Sequence, residues 1–171
     1  MTFRHRIQEL VSKFTSLQRK RTLLSQEGAI ELFLSSSSPE VWFSYRGTAI
    51  TWPLPTETTP IFLSDLTVRI QGHTLGYIER AHIKETTAVI GHIAVPPHLV
   101  RLGIGKRLAK AYARQLETLY KIDEIIFKED NSNFLQTGYD GFFLSLGAKP
   151  LEIHKNELWQ DYQWNKRYWQ S

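Results

Sequence analysis

The stretch of this sequence best suited to chemistry is I-A-V-P-P-H-L-V-R-L-G-I-G-K-R-L-A-K, Ile93 to Lys110. An apolar strand stops at Pro96 and Pro97, and a loop containing Gly103 and Gly105 opens a helix. The first amides of a helix lack an intrahelical acceptor, and the macrodipole adds about half a positive charge there, so phosphate oxygens can become their partners. Glycines let that backbone approach an anion without a Cβ in the way. Lys106, Arg107, Lys110 and Arg114 then place four cations on the same helix, suited to further phosphate charge and equally to a solvated face.

Two other phosphate loops fail on spacing. A P-loop needs G-x-x-x-x-G-K-[ST], whereas Gly103 and Gly105 are separated by Ile104 alone and Arg107 stands where the hydroxyl should be. A dinucleotide fingerprint needs a third glycine where Leu108 stands. Its ribose-binding acid should also end the next strand, and Asp123 and Glu124 begin it.

Strand, V-x-P, a loop ending G-x-G, helix, strand and then F-F-x-x-L-G-A together resemble the Gcn5-related N-acetyltransferase family over roughly Leu66 to Trp169. The family's pyrophosphate motif, Q/R-x-x-G-x-G/A, falls on Val100-Arg101-Leu102-Gly103-Ile104-Gly105, with Val100 departing from it and Arg101 next to the missing charge. The resemblance implies a three-layer αβα fold with a mixed, mostly antiparallel sheet, and acetyl-coenzyme A as cofactor. It also implies that the strand ending at Val95 splays from the strand Glu124 to Phe127, so that pantetheine pairs with free backbone groups as an added strand. The cofactor-contacting residues so implied are Ile93, Val95, Val100, Arg101, Leu102, Gly103, Ile104, Gly105, Lys106 and Phe143. Because Pro96 and Pro97 have no N–H, the Val95 amide is the donor expected at the thioester carbonyl.

Transfer to an amine needs a base, since an ammonium with pKa near 10.4 has no lone pair, and an acid for the departing thiolate. The family's usual acid is a tyrosine at the position of Phe143, whose phenyl ring cannot donate; losing such an acid costs roughly 10² to 10⁴ in rate. Tyr139, one helical turn earlier, is the substitute to test, and core or surface packing is its other reading. For the base, the side-chain parity of Val95 gives Val89, Gly91 and Ile93, none of which accepts a proton. His92 reaches the cleft if a bulge shifts the register, and Glu79 on the preceding strand does so through a water. The remaining histidines have no metal-ligand spacing, so no metal site is expected.

Around that segment, Ile7, Leu10, Val11, Phe14 and Leu17 share one face of an N-terminal helix, and a second helix is expected over Gln26 to Leu34 before Ser35 to Ser38 and Pro39. Val41 to Tyr45 and Thr48 to Trp52 read as strands, after which Pro53, Pro55 and Pro60 interrupt pairing until Leu63. Leu66 to Ile70, Leu75 to Ile83 and Thr86 to Val95 form an antiparallel meander, the first two joined by the turn Gln71-Gly72-His73-Thr74. A helix from about Gly105 to Tyr120, a strand Glu124 to Phe127, a helix from about Gly141 to Leu146, and strands near Leu151 to His154 and Trp159 to Trp169 complete the order. The aromatic residues of that last segment are expected to pack the core, with a base-stacking surface as the alternative.

At 171 residues with 42% hydrophobic and 22% charged content the chain is expected to be one domain spanning 1 to 171, soluble and cytoplasmic, without a membrane span or cleavable leader. Without cysteine it has no disulfide or thiolate zinc site, so any thioester chemistry belongs to a cofactor. Of the net charge of +4, Met1 to Arg21 contribute +5 (six basic residues against Glu9), leaving about −1 for the rest. That distribution disfavours a whole-surface nucleic-acid footprint. The expected activity is acetyl transfer to a primary amine of a small molecule or peptide. The alternatives are a non-catalytic acyl-coenzyme A-binding module, or an RNA-directed, toxin-like acetyltransferase using the basic helix Arg4 to Arg21. A homodimer is compatible with these residues.

Overall fold

Alternating apolar residues separated by short turns drive a meander at the centre of the chain. Strand β3 (Leu66–Ile70) pairs antiparallel with β4 (His73–Lys84), which pairs antiparallel with β5 (Thr87–Ala94). The β3–β4 turn is shorter than the sequence indicates. Ile70 pairs with His73, so only Gln71 and Gly72 form the loop, with φ of 50° and 81°. Two successive positive φ values give the primed turn whose twist matches paired strands, and they free His73 and Thr74 to extend β4.

The computed structural model describes residues 26–36, 43–45, 60–128, 139–151 and 160–171, with backbone only for 43–45 and 139. The expected first helix (Ile7 to Leu17), the strand Thr48 to Trp52 and most of Leu151 to His154 lie outside these residues. Residues 26–35 form helix α1. The sheet has eight strands in the order β1-β3-β4-β5-β6-β8-β7, with β2 paired to β4 off this path. Here β1 is Phe43–Tyr45, β2 Ile61–Phe62, β6 Glu124–Phe127, β7 Lys149–Pro150 and β8 Tyr162–Asn165. Among the described pairs only β5–β6 is parallel, and helix α2 (Ile104–Tyr120) makes that crossover. The result is a mixed, mostly antiparallel α/β fold.

Three further expectations are corrected. Pairing resumes at Ile61 rather than Leu63, because Ile61 and Phe62 meet Ile83 and His82 on β4 beyond the end of β3. Helix α3 runs over Tyr139–Ser145, starting earlier than Gly141. The closing segment is not one long strand: β8 stops at Asn165, and Lys166–Tyr168 form a 3-10 turn that carries Trp169 back onto α2.

Helix α2 forms because Leu108, Ala109, Ala111, Tyr112, Ala113 and Leu116 bury a wide stripe of good helix formers against the sheet. It ends at Lys121, which takes the left-handed φ of 57° and returns its N–H to the Glu117 carbonyl. Trp164 and Trp169 are fully buried, in edge-on contact at 5.1 Å. The indole N–H groups of Trp164 and Trp169 donate to the Leu146 carbonyl at 2.8 Å and to the Glu117 carboxylate at 2.9 Å. The described C-terminal aromatics are therefore core, with their polar atoms satisfied.

Candidate functional site

The parallel pairing of β5 with β6 runs from Thr87↔Glu124 to Ile90↔Phe127 and is closed by the Lys128 N–H donating to the Ile90 carbonyl at 2.9 Å. Beyond that point β5 continues through Ala94, still paired to β4 by Glu79↔His92, Ile78↔Ile93 and Tyr77↔Ala94. Among the described residues, β6 no longer follows it. The last described β5–β6 pair is Ile90↔Phe127, and residues 91–94 lead from it to the loop before α2.

An irregularity lies at the same level. The Arg80–Gly91 pair drops out of the β4–β5 register, and Arg80 has a φ of 54° in the middle of a strand. Its N–H is held by the Asp65 carboxylate at 3.0 Å. A Cβ on Gly91 would meet the Arg80 Cβ at 2.8 Å and its carbonyl oxygen at 3.0 Å, so this position tolerates no side chain. Glu79 and His92, the two residues singled out as bases, are thereby direct cross-strand partners, both partly buried. Facing partners share a side of the sheet at a separation of about 5 Å between Cβ atoms.

After β5 the chain turns through Pro96 into a 3-10 turn at Pro97–Leu99, then through Val100 to Arg101 and Gly103, whose φ values are 69° and 79°. Gly103 caps α2 without any side-chain hydrogen bond, and among the described residues nothing beyond its own chain neighbours lies within 4 Å of where its Cβ would be. The first-turn amides of Ile104, Gly105 and Lys106 thus meet no capping side chain. Amide donors at a helix start, preceded by open space at a glycine, are chemically matched to the phosphate oxygens of a coenzyme A pyrophosphate. Val100 and Leu102 are 55% and 46% exposed beside them. Gly105 serves packing: its Cβ would sit 3.1 Å from Phe142 and 3.3 Å from Val95.

Each of the four cations of α2 donates to a backbone carbonyl of a neighbouring segment, Lys106 and Arg114 while remaining exposed and Arg107 and Lys110 half-buried. Lys106 reaches Ser145 at 3.2 Å, Arg107 reaches Phe33 at 2.9 Å, Lys110 reaches Ser171 at 3.1 Å and Arg114 reaches Trp169 at 2.9 Å. Phe33 and Ser145 lie in the last turns of α1 and α3, where carbonyls lack intrahelical donors and cations are favoured. Burial, then repulsion from Lys106 and Arg114, lowers the Lys110 pKa below its ordinary value.

Phe143 is 3% exposed and sits between Phe127, stacked at 4.8 Å, and Tyr162 at 5.0 Å. Its neighbour Phe142 is the α3 residue that lies against the start of α2. The Phe-Phe doublet left that choice open in the sequence, since adjacent helical residues point in different directions. Helix α3 does start at Tyr139, one turn before Phe143. Asp140 accepts a 2.6 Å hydrogen bond from the Tyr162 hydroxyl, joining α3 to β8. His98, at the foot of the loop, lies 2.7 Å from the Gln26 amide of α1. Among the described residues no group of histidines, cysteines and carboxylates could hold a metal ion, and no helix is long and apolar enough to cross a membrane. Sequence reasoning missed Asp65 and Arg80; the only signal for the irregularity was a glycine inside a strand pattern.

No protein-family model matches this chain, and the search of curated proteins finds no relative. Comparison with solved structures returns acetyltransferases. One is a tandem GNAT protein from the clavulanic acid biosynthesis pathway, 18% identical with a TM-score of 0.46 over 74% of this chain, which spans 42% of that protein's length. A second is the ribosomal-protein-S18-alanine N-acetyltransferase from Escherichia coli, 16% identical with a TM-score of 0.49 over 71% of this chain and 89% of that one. A third, a Bacillus subtilis acetyltransferase in complex with coenzyme A, is 17% identical with a TM-score of 0.43 over 60% of this chain and 76% of its own. The neighbours are GNAT-type acetyltransferases at low sequence identity.

Proposed function

We propose that this chain is a cytoplasmic N-acyltransferase that moves an acetyl group from acetyl-coenzyme A to a primary amine of a small molecule or peptide. The observation that carries this reading is the start of α2 at Gly103: first-turn amides without a side-chain cap, open space beside them, and an exposed loop leading in from the end of β5. In the acyltransferase reading the edge of β5 beyond Ile90 would take an extended chain of amides, and the uncapped helix start would take a pyrophosphate. Coenzyme A carries both in that order. The resemblance of V-x-P and G-x-G to the acetyltransferase family points the same way.

When bound, acetyl-coenzyme A supplies a thioester, an acyl carbon already activated for attack. The amides of Ile104, Gly105 and Lys106, with Gly103 leaving room, hold its pyrophosphate. Val100, Arg101 and Leu102 form the exposed approach to that site, and Ile93 lies on the strand bordering the pantetheine. The Val95 N–H stabilises charge on the thioester oxygen. Glu79 or His92 would take one proton from the ammonium to free its lone pair, and a nitrogen–carbon bond would form. Tyr139 would protonate the departing thiolate as the carbon–sulfur bond breaks, and the second proton shed by the newly acylated nitrogen would restore Tyr139.

A second reading, an acyl-coenzyme A-binding module without turnover, is favoured by one observation: the ring at the family's acid position is buried among aromatics. The basic segment on which an RNA-directed activity would rest lies outside the described residues.

Thermal unfolding with and without acetyl-coenzyme A tests the assignment. Ligand at about 100 times Kd adds roughly 2.7 kcal/mol, or on the order of 5 to 10 °C for a domain this size. Gly103→Asp is the companion variant: its side chain enters open space and its charge occupies the helix start where phosphate would sit, and because the left-handed φ of 79° adds backbone strain its shift is read against its own ligand-free midpoint. A shift in the wild type that vanishes in the variant supports the site; no shift in either removes it. Release of free coenzyme A in the presence of amines then separates enzyme from binding module.

A further inference from the structure

We propose that Asp65 is a positioning residue of the acyl-transfer site, holding the left-handed turn at Arg80 that leaves Glu79 and His92 beside the cleft instead of in the core. This deepens the acyltransferase reading and rests on it. In a regular strand, side chains two residues apart share a face. On β4, Ile83 and Ala81 are buried, so an unbroken alternation would bury Glu79 next; the buried residue is instead Ile78. On β5, Ala88 and Ile90 are buried and alternation would bury His92, yet Ile93 takes the interior place. Both strands slip phase by one residue between the same two pairs, Ala81↔Ile90 and Glu79↔His92, and the register between them is unchanged.

The slip is located by Arg80, the residue with positive φ inside β4, and by Gly91 opposite it, which has no room for a Cβ. A left-handed φ at a non-glycine residue is strained and persists only where its surroundings hold it. A contact that holds it is the Asp65 carboxylate accepting the Arg80 N–H at 3.0 Å, from the segment just before β3. This slip sits one residue beyond the last described β5–β6 pair, on the part of β5 that leads into the candidate cofactor loop. Asp65 itself is remote in sequence from the cofactor loop and acts only through the backbone of Arg80.

The test compares Asp65→Ala, Asp65→Asn and Gly91→Ala with the wild type, reading coenzyme A affinity by calorimetry and acetyl-coenzyme A turnover against a panel of primary amines. Asp65→Ala is expected to lower kcat roughly 10- to 100-fold, as misplacement of reacting groups does, and to leave the Kd for coenzyme A unchanged. Asp65→Asn retains an acceptor oxygen and restores turnover. Gly91→Ala disturbs the same turn from β5 and reproduces the loss, and the double variant is no worse than the weaker single one, since both act on one element. Turnover by Asp65→Ala at the wild-type level overturns the proposal, as does failure of asparagine to restore it, or coenzyme A affinity falling in step with rate. Should Asp65→Ala not fold, Asp65→Asn and Gly91→Ala decide alone: an active asparagine variant beside an impaired alanine one sustains the proposal, and equal rates for all overturn it. A wild type that binds no coenzyme A defeats the acyltransferase reading itself. One that binds and turns over while the variants behave alike defeats only the role of Asp65.

Discussion

Phe143 shows how a single atom separates two readings of the site. The family resemblance assigns its position to a tyrosine, but the ring here is stacked between Phe127 and Tyr162 with 3% exposure. A hydroxyl added there enters an aromatic cluster, and a buried hydroxyl without a partner costs about 1–3 kcal/mol. Phe143→Tyr is therefore expected to lower the thermal midpoint without raising turnover of acetyl-coenzyme A. An increase in rate would mean that the ring faces the thiol and that the aromatic cluster opens when the cofactor binds. Gly76 is constrained in a different way. Its Cβ would lie 2.6 Å from Leu108 on α2 and 3.1 Å from the Ala94 carbonyl, where β5 ends. Gly76→Ala should destabilise the chain by roughly 1–3 kcal/mol through overpacking, measured by denaturant titration. A neutral result would show that α2 can move away from β4.

At the level of elements, α2 holds the described helices and the C-terminal segment together with long cations on backbone carbonyls. Arg107 illustrates the design, because its guanidinium reaches the Phe33 carbonyl at 2.9 Å while Phe33 itself is fully buried. A hydrogen bond from a charged donor is worth about 1.5–3 kcal/mol. Arg107→Ala should release α1 locally, seen as lost amide-exchange protection over residues 26–35 with β4 and β5 still protected; uniform loss across the sheet would refute a local role. These staples were not legible in the sequence. Lys106, Arg107, Lys110 and Arg114 announce only charge, and their partners are carbonyls up to 74 positions away. The meander, α2 and β6 were legible, because β-branched alternation and an alanine-rich amphipathic stripe fix period and face locally. The two-residue turn at Gln71-Gly72 and the early start of α3 were misread by a few residues at their ends. The phase slip at Arg80 was hidden because it depends on Asp65, fifteen residues earlier in the chain. The V-P-P and G-I-G spacing marked the candidate loop in advance, since glycine and proline constrain backbone whatever surrounds them.

At the scale of the whole molecule, His82 and Glu117 among the described residues give folding stability a stepped dependence on pH in the acid range. His82 on β4 has its pKa lowered, by burial first and then by the charge of Lys128, so the unfolded chain binds that proton more readily than the folded one. Stability from the neutral imidazole is complete above the unfolded value of about 6.5 and declines as pH falls through that value toward the folded one. Glu117 joins α2 to the closing turn. Burial pushes its carboxyl upward, but hydrogen bonds from Trp169, Lys166 and Gln170 together with the Lys166 charge outweigh this and hold it below the ordinary range. Its contribution is present above the unfolded value of about 4.3 and is lost as pH falls through the lower folded value. Acidification should thus weaken the fold first below about pH 6.5 and again below about pH 4.3. In the second step the C-terminal segment leaves α2, and the near-ultraviolet signal of Trp169 changes before that of the buried sheet. His82→Gln should flatten the first step alone and Glu117→Gln the second. A single transition, unaltered by either substitution, would show that neither group is linked to folding and that the closing turn is held by the burial of Trp164 and Trp169.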